Sequence, residues 1–264
     1  MPRHQRILSK TGIYHVMMRG NERKNLFAGE EDKLRFLDTL FAKKDETRFF
    51  LYAYCLMDNH VHLLVREGPE GLATMMKRIN TSYAYYFNQK NHRVGHLFQD
   101  RFKSEPIENE RYLLAVTRYI HNNPVKAGIV KKPERYKWSS YNSYLNPYLP
   151  ESKIVDTEFI LSILANDQKI AIQEFRKFSK EQDESEFLDI EEGSIRTLEE
   201  GKSYLEEYLA KRWSGKNIED LIKDKETRTK IIVHLKTNTK LSVRKIADLL
   251  GINRGIVQKT KVNL

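Results

Sequence analysis

The segment FFLYAYCLMDNHVHLLVR, residues 49–66, decides the fold. Its aromatic and apolar stretch Phe49–Leu56 is typical of a strand, and so is the run Val61–Arg66. The short stretch Met57-Asp58-Asn59 between them suits a tight turn. These features predict a β-hairpin, which makes the sheet at least partly antiparallel.

The segments on either side of this hairpin alternate between strand and helix patterns. Upstream, Ile13–Met18 has the pattern of a strand, and apolar residues at helical spacing predict a helix over Glu31–Lys44. Downstream, one apolar stripe predicts a long helix from about Gly71 to Gln89. Its members are Leu72, Met75, Met76, Ile79, Tyr83 and Phe87.

The chain after this helix continues the alternation. Residues Phe98–Ile107 are expected to be extended, and Asn109 can cap a helix that runs towards Asn122. Pro124 is expected to stop it, since the residue before a proline is pushed away from helical geometry. The first 145 residues therefore predict an α+β fold, and the chain after residue 155 is helical almost throughout.

Composition narrows the class of protein. The 264 residues are 40% hydrophobic and 31% charged, the balance of a globular protein with one large or two modest cores. No apolar run is long enough to predict a membrane span, and Met1–Lys10 has no apolar stretch behind it that would make a secretory signal. The single cysteine, Cys55, excludes an internal disulfide and a cysteine zinc cluster, and fits a cytoplasmic setting.

The net charge of +10 is unevenly distributed. Residues 1–145 hold 25 basic against 15 acidic side chains, residues 146–225 hold 12 against 19, and residues 226–264 hold 9 against 2. Solvated faces would explain any one of these blocks. Together they predict two units that bind a polyanion such as nucleic acid, residues 1–148 and 226–264, joined by an acidic helical connector over residues 149–225.

Two histidines and a tyrosine are the candidate reactive groups. His60 and His62 lie two apart in a strand, so both imidazoles project from one face and can hold a metal ion together. Tyr119 and Asn123 lie four apart on a helix and also share a face, where Asn123 offers a carbonyl oxygen as third ligand. A phenol becomes a nucleophile at neutral pH only with help from a metal or a base. A His-X-His pair alone is more often structural, and spacing does not single out one of fourteen tyrosines.

Five stretches, in order, resemble the REP-associated branch of the single-tyrosine HUH transposases. The stretch Met57-Asp58-Asn59-His60-Val61-His62-Leu63-Leu64 is similar to the His-hydrophobic-His motif of that family. Together the five stretches cover roughly residues 4–145, more than half of the chain. The other four are Tyr14-His15-Val16 with Arg19-Gly20-Asn21 and Arg23; Gly95-His96-Leu97-Phe98-Gln99 with Arg101-Phe102-Lys103-Ser104; Tyr119-Ile120 with Asn122-Asn123-Pro124-Val125 and Ala127-Gly128; and Trp138-Ser139-Ser140-Tyr141.

The resemblance implies a ferredoxin-like sheet flanked by helices, with the two histidines on a central strand. It implies that Mg²⁺ or Mn²⁺, held by His60, His62 and Asn123, supports cleavage of single-stranded or hairpin DNA. Attack by Tyr119 would leave a 5′-phosphotyrosine and a free 3′-hydroxyl, so the same site could rejoin strands without ATP. Related transposases carry a glutamine where this chain has Asn123. Because imidazole suits softer ions than Mg²⁺, Mn²⁺ is the expected metal in vitro.

Basic residues within the same motifs are candidate contacts to the DNA strand. Arg19, Arg23, Arg101 and Lys103 could meet phosphates, while tyrosine and phenylalanine rings offer platforms for unpaired bases. For each residue taken alone, a plain surface role is at least as good an interpretation.

The C-terminal residues have a helix-turn-helix pattern. Ser242 can cap a helix over Val243–Leu250, Gly251 breaks it, and Ile252–Lys261 form the next helix. Two short helices around a glycine also occur in many bundles, but the local positive charge favours duplex DNA, with the second helix in a major groove. Ala247 is the small residue expected where the two helices cross. The predicted apolar contacts are Ile246, Leu250, Ile252 and Val257, and the predicted DNA contacts are Asn253, Arg254, Gln258 and Lys259.

Three functions fit these patterns. The first is a metal-dependent transposase or DNA strand transferase with a duplex-binding tail. The second is a non-catalytic regulator that acts through the helix-turn-helix, and the third is a metal-dependent nuclease without a covalent intermediate, or an RNA processor. Intact His60, His62 and Tyr119 favour the first. We expect a protein with no membrane partner, and a monomer rather than a homodimer.

Overall fold

The computed structural model describes residues 6–181, 187–188, 198–213, 218–239 and 241–260, without the side chains of Arg23, Glu200, Glu207 and Lys211. The chain divides into two compact units, Met1–Leu188 and Asp189–Leu264. None of the helices within the described ranges has both the length and the apolar character needed to cross a membrane.

The first unit begins with the element order β-α-β-β-α-β, the order on which ferredoxin-like folds are built. Its four strands form one sheet in the spatial order β2-β3-β1-β4, and every neighbouring pair is antiparallel. The predicted α+β class with a mostly antiparallel sheet is therefore confirmed. The elements are β1 (Ile13–Arg19), α1 (Glu30–Thr47), β2 (Phe50–Leu56), β3 (His60–Arg66), α2 (Gly71–Lys90), β4 (Lys103–Pro106), α3 (Glu110–Lys126), α4 (Tyr141–Leu145), α5 (Thr157–Leu164) and α6 (Gln168–Phe178).

The predicted hairpin is confirmed as β2 and β3. Leu56 pairs with Val61, and Cys55 pairs with His62. The turn is held from outside the hairpin: the Lys33 ammonium of α1 lies 2.7 Å from the Asp58 carboxylate, and the Asp58 carbonyl accepts from the Leu26 amide at 2.7 Å. These two contacts fix the turn that leads into β3.

Helix α3 departs from its predicted end. Pro124 was expected to stop the helix, but α3 continues to Lys126 with the proline inside it. A proline has no N–H to donate to the carbonyl four residues earlier, so one helical bond is lost. The next turn closes without it, because the Ala127 amide donates to the Asn123 carbonyl and the Ile129 amide to the Pro124 carbonyl, both at 2.9 Å. Asn123 consequently stays helical, one turn after Tyr119.

The stretch expected to be extended over Phe98–Ile107 is strand only in part. Strand β4 covers Lys103–Pro106, and Phe98 makes an isolated bridge to Gly20. Gly20 is required there, because a Cβ on it would lie 1.9 Å from the Lys24 carbonyl oxygen.

The division of the chain differs from the predicted boundaries at residues 148 and 225. Helices α5 and α6 pack into the core of the first unit, where Ile160 and Phe175 are buried and Phe175 stacks on Tyr144 with 4.4 Å between ring centroids. The net negative charge of residues 149–225 led to the prediction of a connector, although α5 and α6 carry apolar faces that pack into this core. The first unit therefore extends to Leu188.

The second unit has its own core. Leu205 and Leu221, which precede the predicted boundary at residue 225, are buried with Ile231, Ile246 and Val257. Ser242 caps α10 by accepting from the Lys245 amide at 3.3 Å, and Gly251 ends that helix with φ = +62°. The helices of this unit are α7 (Leu198–Arg212), α8 (Ile218–Leu221), α9 (Lys225–Asn238), α10 (Val243–Leu250) and α11 (Arg254–Lys259).

Candidate active site

One face of the sheet is lined by polar side chains. Residues directly opposite each other in an antiparallel sheet project from the same face. Arg19 of β1 pairs with His60, Met17 pairs with His62 on one side and Lys103 on the other, and the next pair along the same face is His15 with Glu105. On the opposite face Val16, Val61 and Leu63 are fully buried in the core.

The His60 ring is oriented by its neighbour in the turn. His60 is 2% exposed, and its Nδ1 lies 2.7 Å from the Asn59 side-chain oxygen. A carbonyl oxygen only accepts, so Nδ1–H is the donor. In the neutral imidazole the lone pair then lies on Nε2, the nitrogen that could bind a cation.

The His62 ring is oriented by a histidine that the sequence did not single out for chemistry. His15 Nε2 lies 3.0 Å from His62 Nδ1, and His15 Nδ1 lies 3.8 Å from the Glu105 carboxylate. In a neutral His15 whose Nδ1–H points to Glu105, Nε2 accepts from His62 Nδ1–H. The lone pair of His62 then also lies on Nε2, an atom that is buried with no hydrogen-bond partner among the described residues.

The electrostatics of this cluster keep His62 neutral. Burial holds the pKa of His62 well below its ordinary value, and the neighbouring His60, His15 and Lys126 lower it further. The interaction with His15 lowers the pKa of Glu105, although burial acts in the opposite direction. A histidine must be neutral to bind a metal ion, so a neutral His62 is available as a ligand.

Tyr119 is brought to the histidines by α3. Its ring lies edge-on to His62 and to His15, with centroid distances of 5.7 and 5.8 Å, and the residue is 7% exposed. On its other side, the ring stacks on Phe187 at 4.6 Å, and the Lys126 ammonium lies 5.3 Å from the ring centroid. Phe187 could not be identified from the sequence, because it lies in an acidic stretch whose apolar residues show no helical spacing.

Asn123 lies one turn beyond Tyr119 and is 4% exposed. Its amide nitrogen has no hydrogen-bond partner among the described residues, and rotating the amide by 180° would present the oxygen there instead. No group of three or more His, Cys, Asp or Glu side chains in the described ranges is arranged to hold a metal ion. The candidate ligands are therefore the His60 and His62 imidazoles and the Asn123 amide, each with a buried nitrogen that has no hydrogen-bond partner in the described ranges.

The predicted DNA contacts of the first unit differ in position. Arg19 is half-buried beside His60, and Lys103 is exposed on the same polar face. Arg101 is exposed just before β4. The predicted contact by Arg23 lies outside the described side chains.

The predicted contacts of the second unit fall on or beside α11. Arg254, Gln258 and Lys259 are exposed, and Val257 between them is fully buried. Asn253 is exposed too, but its side-chain oxygen already accepts from the Gly255 amide at 2.8 Å and so caps the helix. The helix is shorter than predicted, ending at Lys259.

Comparison with known proteins finds a matching family over the residues that form this site. A family profile described as "Transposase IS200 like" matches residues 9–123, a range that contains His60, His62, Tyr119 and Asn123.

The names of two curated relatives both describe a REP-associated tyrosine transposase. The REP-associated tyrosine transposase of Escherichia coli (strain K12) is 25% identical over 134 residues, which is 50% of this chain and 76% of that protein. A Haemophilus influenzae protein, whose name also describes a REP-associated tyrosine transposase, is 26% identical over 105 residues. That match covers 36% of this chain and 60% of the relative's length.

A solved structure is similar in part. It is a REP-associated tyrosine transposase bound to a REP hairpin, with 21% identity and a TM-score of 0.48. The match covers 57% of this chain and 90% of that one.

Proposed function

Because residues 9–123 of this chain belong to the family of IS200-like transposases, we propose that the protein is a metal-dependent transposase that cleaves and rejoins single-stranded DNA. The observation that carries the proposal is the contact of Tyr119 with His62 on the polar face of the sheet. A nucleophile and two metal-binding imidazoles are the groups that this chemistry requires. Hairpin DNA is the proposed form of the substrate.

In the proposed reaction, the phenolic oxygen of Tyr119 forms a bond to the phosphorus of a DNA phosphodiester. The bond from phosphorus to the 3′ oxygen breaks, and that oxygen gains a proton in place of the one lost by the phenol. The 5′ end of the DNA stays on Tyr119 as a phosphotyrosine. Attack of a 3′-hydroxyl on this ester reverses the step and joins strands without ATP.

His60, His62 and Asn123 are the residues we propose to hold Mg²⁺ or Mn²⁺. When bound, the ion supplies polarisation of the phosphate and stabilisation of charge on the leaving oxygen. Asn59 and His15 act on the imidazoles themselves: each holds an Nδ1 by a hydrogen bond, which keeps the ring orientation fixed and leaves Nε2 for the ion.

The test is a covalent adduct. The protein is incubated with Mn²⁺ and a labelled pool of stem-loop DNAs with randomised flanks, then separated under denaturing conditions. We expect a labelled protein band from the native protein and none from Tyr119→Phe, which should still shift the DNA in a native gel. Tyr148→Phe is the matched control, since Tyr148 is 92% exposed.

The other possible outcomes of this assay would identify the alternative functions, a nuclease or a regulator. Cleaved DNA without an adduct would show a nuclease that activates water rather than Tyr119. Binding with neither product nor adduct from any member of the pool would show a regulator. Either result rejects the proposed chemistry.

We also propose that the second unit binds duplex DNA through α11. The support is the exposed Arg254, Gln258 and Lys259 on a helix that follows a glycine turn. With a mixed-sequence duplex, Arg254→Gln with Lys259→Gln should reduce the slope of log affinity against log salt by about 2, at roughly 0.9 per phosphate contact. The control Lys202→Gln with Lys225→Gln removes the same charge from exposed sites in the same unit. Equal slopes for both pairs would reject this role.

A monomer is the proposed working form. Tyr119 lies against His62 of its own chain, so one copy supplies the nucleophile and both histidines. Mixing Tyr119→Phe protein with His62→Ala protein should therefore restore no adduct.

A further inference from the structure

A groove of about 770 Å³ lies beside α3, and Tyr119 forms part of its wall. One wall is a face of α3, with Arg118, Tyr119, Asn122 and Lys126 at helical spacing. The opposite wall combines Lys131 and neighbours with residues that follow α6. Its volume lies in the range of ordinary ligand sites.

The walls of the groove are tied together. Asn122 donates from its side chain to the Ser179 carbonyl at 3.0 Å, which fixes the end of α6 against α3. The Arg118 guanidinium bonds the Glu181 carboxylate at 3.2 Å and lies 4.2 Å from the centre of the Phe178 ring. Hydrogen bonds and an ion pair therefore connect the two walls of the groove.

The charge of the groove is positive. Arg118 and Glu181 offset each other, which leaves, among the lining residues that the structure describes, four lysines against the carboxylate of Glu134. Lys131, Lys132 and Lys180 are exposed, and within the described part of the chain no carboxylate lies within 4 Å of their ammonium groups. A concave surface with this sign of charge concentrates an anionic ligand.

Aromatic rings lie in the same groove. Phe187 lines it, is half-buried and stacks on the Tyr119 ring, whereas Tyr141, which also lines the groove, is only 3% exposed. Positive charge that follows a backbone, combined with rings that bases can stack on, is the pattern of single-strand binding. Since Tyr119 is itself part of the wall, a strand in the groove would be continuous with one that reaches the nucleophile.

We propose that this groove binds the single-stranded DNA next to the scissile phosphate, with Lys131, Lys132 and Lys180 each meeting a backbone phosphate. The proposal rests on the proposed function for the identity of the strand, and goes beyond it by naming a binding surface outside the sheet face. On this proposal Lys131, Lys132 and Lys180, all of which follow Gly128 in the sequence, belong to the substrate-binding surface.

The test measures binding without catalysis. Full-length protein is titrated against fluorescent 12-nucleotide oligothymidylate over a series of salt concentrations, without divalent metal. The variant carries Lys131→Gln, Lys132→Gln and Lys180→Gln. The control carries Lys77→Gln, Lys153→Gln and Lys169→Gln, three exposed lysines of the same unit that do not line the groove. Both variants lose the same charge, and thermal unfolding checks that both remain folded.

The expected result is specific to the groove variant. Its slope of log affinity against log salt should fall by about 2, at roughly 0.7 per lost contact with a single strand, and its affinity should drop about tenfold near physiological salt. The control should keep the native slope. Equal behaviour of the two variants, whether both weaken or neither does, would overturn the proposal.

The adduct assay separates this inference from the proposed function. If the native protein forms an adduct but the groove variant keeps the native salt slope, the chemistry stands and the groove assignment fails. If no adduct forms but only the groove variant shows the reduced slope of log affinity against log salt, the groove assignment stands and the transposase chemistry fails.

Discussion

Two fully buried histidines have opposite surroundings. His62 faces His15, which itself lies beside the Glu105 carboxylate, whereas His121 packs edge-on against aromatic rings of α4 and α6. The His121 Nε2 atom lies 2.7 Å from the Ser140 hydroxyl, and burial lowers the pKa of His121 to about 3. His121 therefore has a structural role, on the same helix that carries Tyr119.

The low pKa of His121 makes stability depend on pH. Between pH 6.5 and about pH 3 the unfolded chain binds a proton at this residue that the folded protein does not. Its contribution is present above pH 6.5 and is lost as the pH falls, by about 1.4 kcal/mol per pH unit. We expect His121→Phe, which keeps an aromatic ring there, to flatten the acid limb of a plot of unfolding free energy against pH.

The comparison is made between the two proteins, since other groups titrate in both. Denaturant unfolding of native and variant protein from pH 7 to pH 4.5 gives the difference in slope directly. Parallel curves would mean that His121 gains its proton without unfolding, and the structural account of its pKa would be wrong.

At the scale of elements, α3 is the helix on which the site depends. Asn109 caps it, with the side-chain oxygen accepting from the Tyr112 amide at 2.8 Å. Loss of such a cap costs about 1 kcal/mol. We expect Asn109→Ala to lower the melting temperature of the first unit by about 2–4 °C, whereas Asn109→Asp keeps the acceptor and should be close to native. Similar melting of all three proteins would contradict a capping role.

Local elements could be predicted from the sequence, and long-range partners could not. The hairpin follows from a short turn between two apolar runs, and the Asn109 cap from the residue type at a helix start. The pairing of β1 with β3 brings His15 beside His62, but sequence alone does not state which strands are neighbours or in what register.

Pro124 shows a second limit. A local rule predicted that α3 ends there, but the helix continues through Pro124, and Asn123 and Pro124 are both buried. Tyr119 and Asn123 lie four residues apart within α3, as predicted, and therefore share a face of the helix. The ring that stacks on Tyr119, Phe187, comes from a segment with no motif of its own.

At the scale of the whole molecule, the chain holds two separate hydrophobic cores. Leu40 is fully buried in the core of the first unit, and Leu235 is fully buried in that of the second. A buried leucine truncated to alanine costs 2–5 kcal/mol, on the order of large core substitutions. We expect Leu235→Ala to lower one of two calorimetric transitions, and Leu40→Ala to lower the other.

Each variant serves as the control for its counterpart, because the substitution is the same and only the core differs. One cooperative transition that moves equally in both variants would show that the units unfold together. The transition assigned to the first unit should also be the one raised by oligothymidylate, since a ligand stabilises the unit that binds it.

Cys55 lies near the end of β2, opposite His62, and it is the only cysteine in the sequence. It is fully buried, and burial raises the pKa of its thiol. Alkylating reagents need an accessible thiolate, so the native chain should be inert to maleimides while it stays folded. A cysteine engineered at any exposed position would then be the sole point of attachment for a fluorophore, with no native thiol to remove first.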